Sequence, residues 1–141
     1  MEYKKSKNTF IIRLERGEKI LETLKKFCIL EKIKCAHFSG IGALDEVELA
    51  HYAVKTKEYS LVPFKKPFEI TNMMGNVTEM NNEPYLHCHI TLSDNKMNSF
   101  GGHLKEGRIS AMCEIFLVKV DAKVSRTFSD SIGLNLMNLK K

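Results

Sequence analysis

Apolar and polar residues alternate along most of the chain, and one stretch replaces that two-residue rhythm with a helical one. Residues 9–14 (TFIIRL) predict a first strand, ended by Gly17. From Glu18 to Ile33, Ile20, Leu21, Leu24, Phe27 and Cys28 recur at helical spacing, with Lys25, Lys26 and Lys32 off that stripe, so a helix is expected there. Residues 35–39 predict a short strand running into Gly40-Ile41-Gly42. Strand pattern follows over 45–54, 58–64 and 68–79, and Asn81-Asn82 with Pro84 marks a turn. Residues 85–93 (YLHCHITLS) alternate strictly, Asp94–Asn98 turns the chain, and 108–120 predicts a long strand. A short strand near Arg126–Phe128 and an apolar segment, Ile132–Leu139, complete the pattern. One main N-terminal helix followed by sequential strands and a short C-terminal element predicts an α+β fold with a mainly antiparallel sheet. The expectation is a single compact domain over residues 1–141.

Strict alternation puts Leu86, Cys88, Ile90 and Leu92 on the core face of their strand. Tyr85, His87, His89 and Thr91 then point the other way. His87 and His89 are two residues apart, about 7 Å between Cα atoms, and two imidazoles at that separation can converge on one ion. His103 follows Gly101-Gly102, where glycine allows a bulge or a close backbone approach. If a hairpin joins the two segments, three histidines meet and a fourth coordination position stays open for water or a small ligand. Neutral imidazoles suit zinc, nickel, copper or iron. An HxH pair is also at home on a hydrogen-bonded surface, and on spacing alone both readings stand. Glu114 shares a strand face with Met112, Phe116 and Val118; it is either an outer partner that orients an imidazole or an edge residue. His37 and His51 read as packed or exposed singles. Gly40-Ile41-Gly42 is no dinucleotide fingerprint, because Asp45 stands at the third glycine position and strand pattern follows. No ordered Ser-His-Asp set or paired carboxylates point to a catalytic group.

Composition adds limits. Apolar residues make up 43% and charged residues 28%, ordinary values for a globular domain. No apolar run approaches the roughly 20 residues that span a bilayer, and MEYKKSKNTF lacks a secretory apolar region. Cys28, Cys35, Cys88 and Cys113 show no regular spacing and sit among apolar neighbours, as expected of buried thiols in a reducing cytoplasm. The net charge is +5, and residues 1–34 carry all of that excess. Such a patch approaches phosphate backbones only weakly, since four of the 22 basic residues are arginine.

The run LHCHITLSDNKMNSFGGHLKEGRISAMCEIFLV (86–118) resembles the hallmark of the PPC domain, named for plants and prokaryotes. FSGIGALDEVELAHY (38–52), PFEITNMMGNVTE (67–79) and FIIRLERGEKILETLKKF (10–27) resemble its earlier blocks in the same order. The resemblance implies a homotrimer of α+β domains. It also implies a divalent metal, zinc first, on His87, His89 and His103, a feature of prokaryotic rather than plant members. In plants the domain is fused to an AT-hook and works in nuclear DNA binding; no Arg-Gly-Arg-Pro hook occurs in this sequence. The expected role is therefore a cytoplasmic metal-binding protein with weak, non-specific DNA contact and a regulatory function. The alternative is a metal-dependent enzyme acting on a small molecule at the open coordination position.

Overall fold

A computed structural model describes residues 1–139. Eight strands and one helix follow in the order β1 (Glu2–Ser6), β2 (Thr9–Glu15), α1 (Ile20–Leu30), β3 (Ala36–Ala53), β4 (Glu58–Met80), β5 (Glu83–Ser93), β6 (Ser99–Lys119), β7 (Ser125–Ser129) and β8 (Leu134–Asn138). The sheet runs β1-β2-β6-β3-β4-β7-β8, and β5 bridges β4 and β6. Because β3 pairs with both β4 and β6, the four strands β3 to β6 close into a ring of hydrogen-bonded neighbours. All pairings are antiparallel except the single β4–β7 bridge, Glu79 to Ser125.

Two pairs of expected strands are in fact single long ones, and a third strand is longer than expected. β3 runs straight through Gly40-Ile41-Gly42, with register shifts at Gly40/Gly42 and Leu44/Glu46. Bulges of this kind add twist and let one strand serve both halves of a curved sheet. In the same way 58–64 joins 68–79 as β4, and the glycine element 100–103 joins 108–120 as β6. The helix is shorter than the 18–33 the spacing predicts. Glu18 stays in a turn, and the chain leaves the helix before Lys32, whose φ is +52°. Lys19 offers no side-chain cap; Glu106 of β6 caps the helix instead, its Oε1 and Oε2 accepting from Leu21 N at 2.9 Å and Glu22 N at 3.0 Å. An acceptor 85 residues away is invisible to a local helix pattern. At Asn81-Asn82 both φ values are positive, +53° and +63°, the primed turn that suits a two-residue hairpin.

The core lies between α1 and the inner sheet face. Ile20, Leu24, Phe27 and Cys28 of the helix pack with Phe10, Phe38, Met73, Ile90, Leu92 and Ile115, all buried. Cys28, Cys88 and Cys113 are free and buried, and burial pushes their thiols up to about 12. Cys35 is also free and buried. No helix is long and apolar enough to cross a membrane among the described residues.

Candidate metal centre

The β5 alternation holds in its central stretch: Cys88, Ile90 and Leu92 are buried, whereas His87 is half-buried and His89 exposed on the outer face. The β5–β6 hairpin turns at residues 94–98, where Asp94 Oδ1 accepts from Lys96 N at 2.8 Å and Asn98 N at 3.0 Å. That turn sets a register with His89 directly opposite His103. The ligand atoms of His87, His89 and His103 lie within 4.8 Å of one another. His87 Nε2 and His89 Nε2 are 3.2 Å apart. A tetrahedral ion with bonds of ~2.0–2.1 Å separates its ligand atoms by about 3.3 Å, so these two nitrogens already span one edge. His103 brings a third ring nitrogen within 4.8 Å of these two. The donor set therefore fits a divalent metal ion.

Electrostatics point the same way. Burial lowers His103 to about 4, helped by His87, His89 and Lys105. Burial also lowers His87, with His89 and Arg126 adding to it. Both imidazoles are thus held neutral, the form that binds metal. Tyr59 flanks His103, ring centres 5.8 Å apart.

Beside the centre runs a shallow groove of about 310 Å³ lined by His37, Met74, Gly75, Asn76, His87 and His89. His37, Asn76 and His87 stand in one cross-strand row through β3, β4 and β5. Two strand spacings, about 10 Å, separate His37 from His87. His37 lies outside the group of converging ligand atoms, but it is also not the unconnected single that its sequence context implied: it lines the groove beside the centre. Nothing local signals this, because the row exists only once three strands are in register. Glu114 is placed elsewhere. It lies opposite Arg13 and Ile41, with β3 and β4 between it and His89, and so orients no imidazole. It belongs to an exposed outer face with Met112 and Phe116.

The family model for the Plants and Prokaryotes Conserved (PCC) domain matches residues 1–121. Among solved structures, a candidate DNA-binding protein from Bacteroides thetaiotaomicron is 31% identical with a TM-score of 0.96, over 99% of this chain and 98% of that one. A plant- and prokaryote-conserved protein from Pyrococcus horikoshii is 33% identical with a TM-score of 0.88, over 99% and 96%. A metal-containing protein from Archaeoglobus fulgidus is 29% identical with a TM-score of 0.87, over 96% and 95%. A search of curated proteins gave no match. On the family match and the shared fold, this chain belongs to the PCC domain family.

Proposed function

We propose that the protein is a cytoplasmic homotrimer in which His87, His89 and His103 of each chain hold one divalent ion, zinc, with a coordination position open to a small molecule. The observation that carries this reading is the convergence of three imidazole nitrogens from two strands within 4.8 Å. When bound, such an ion supplies positive charge and Lewis acidity at that open position. The Archaeoglobus relative, described as metal-containing, supports the same reading.

Assembly is supported by the outer sheet face. Ile11, Phe116, Ser39, Met74 and His89 form one row across five strands. Phe116 is 52% exposed and Met74 59%, with Ile41 and Met112 alongside. Monomers rarely leave so continuous an apolar patch in water. The row ends on a histidine, so a neighbouring subunit that covers it also walls the centre. Light scattering should give about three times the 16.2 kDa protomer, and elemental analysis one zinc per chain. A clean monomer, or protein purified without chelators that carries no metal, overturns the reading.

DNA binding is the second function supported by a specific observation, since the Bacteroides relative is described in those terms. Six of the ten basic side chains in residues 1–34, however, are engaged: Lys5, Arg13, Lys19, Lys25, Lys26 and Lys34 form ion pairs with glutamates. We therefore expect duplex affinity to fall steeply between low and physiological salt and to differ little between sequences. Tight, sequence-selective binding at physiological salt would reverse the order of the two functions.

A further inference from the structure

The groove beside the histidines has a donor pattern of its own. Arg126 of β7 reaches over β4, donating from Nε to Thr78 Oγ1 at 2.8 Å and from Nη2 to Asn76 Oδ1 at 2.9 Å. Its Nη1 donates to Asn135 O at 2.7 Å, and the guanidinium sits 4.7 Å over the Tyr85 ring. With its carbonyl engaged by Arg126, Asn76 has its amide N–H groups left to offer a ligand in the groove it lines. On the other flank, Lys105 lies two residues beyond His103, at a bulge in the β3–β6 pairing. Its Nζ is 5.3 Å from the centre of Tyr59, the ring that packs on His103.

Cations flank the histidines on both sides, Arg126 acting on His87 and Lys105 on His103. Three neutral imidazoles around a divalent ion leave its two positive charges uncompensated, and the flanking cations raise that total. A site so arranged favours an anion over a neutral ligand. The groove, about 310 Å³, lies at the small end of ligand pockets.

We propose that this groove is a small-oxyanion site, in which a carboxylate or phosphate group accepts from the Asn76 amide, held in place by Arg126, in the field of Lys105. This rests on the metal reading of the same histidines. The test uses full-length protein loaded with cobalt(II), whose metal content is measured first. Acetate methyl-proton and phosphate phosphorus relaxation then report binding near the ion, with acetamide as a neutral probe of acetate's shape. Acetate or phosphate should show enhanced relaxation at millimolar concentration and acetamide should not; the stronger of the two anions identifies the class. Lys105→Gln should weaken the anion by about tenfold, Lys105→Arg should restore it, and Asn76→Asp should abolish it, each with cobalt content unchanged. His51→Gln, at an exposed position of β3, should behave as wild type. Full cobalt loading with no anion effect overturns the oxyanion site and leaves the metal reading standing. Anion binding undiminished in Lys105→Gln and Asn76→Asp also overturns it. Failure to take up cobalt at all removes both.

Discussion

His89→Ala should empty the metal centre, lowering affinity by more than about 100-fold, while His51→Ala keeps its full metal content. Loss of partners that merely orient ligands already costs 10–100-fold in metal sites, and removing a ligand costs more. His89 contributes one of the two nitrogens that span the 3.2 Å edge and stands opposite His103. Without it, His87 and His103 retain no arrangement that closes three bonds. The fold should survive, both in this variant and after chelation. The inward residues of the same strand, Cys88, Ile90 and Leu92, are buried against the core independently of the rings outside. Acidification should release the metal in wild type by protonating the ligands. Because His103 is held down to about 4, release should require a pH below the ~6.5 of an ordinary histidine. Metal analysis and melting curves on wild type, both variants and chelated protein provide the check. Equal zinc in wild type and His89→Ala would remove the site, and unfolding on chelation would make the metal structural.

What the sequence made legible was local in origin. The alternation of YLHCHITLS is a two-residue pattern with one face in the core, so the directions of His87 and His89 followed from a single strand. The hairpin that brings His103 in was readable because its turn is short and polar. β1 was not readable: all five of its residues are exposed, and it pairs only along the edge with β2, so no buried face leaves a mark on its sequence. The long strands were broken at Gly40–Gly42 and after Phe64 because glycine and proline there read as punctuation. In the structure the same residues are bulged or edge-like positions inside continuous ladders. Asn76, His37 and Arg126 were missed for a further reason. Their place beside His87 depends on registers across β3, β4 and β5 and on a β7 contact 50 residues from Asn76. No spacing along the chain encodes that proximity.

Gly101→Ala should destabilise the protein by about 3 kcal/mol and lower its melting temperature on the order of 10 °C, with loss of metal affinity in what remains folded. A Cβ at Gly101 would run into the carbonyl oxygen of Ile90 and lie 3.1 Å from Thr91 Cα. Both atoms are backbone of β5, the paired strand, so no side-chain rotation relieves the contact. The strands themselves must move apart. The opening would fall two residues from His103, opposite Thr91, which is itself two residues from His89, so the same displacement separates the histidine pair. The adjacent Gly102 is the control for a general glycine effect. There the nearest atom to a new Cβ is Ala50 O at 3.1 Å, with the next at 3.9 Å. A shift of a few tenths of an ångström suffices, and Ala relieves some of the conformational entropy that glycine loses in a strand. Gly102→Ala should therefore stay within about 1 kcal/mol of wild type and keep its zinc. Thermal melts and metal analysis of the two variants side by side decide the point. If both behave alike, close β5–β6 approach at Gly101 is not what seats the third histidine.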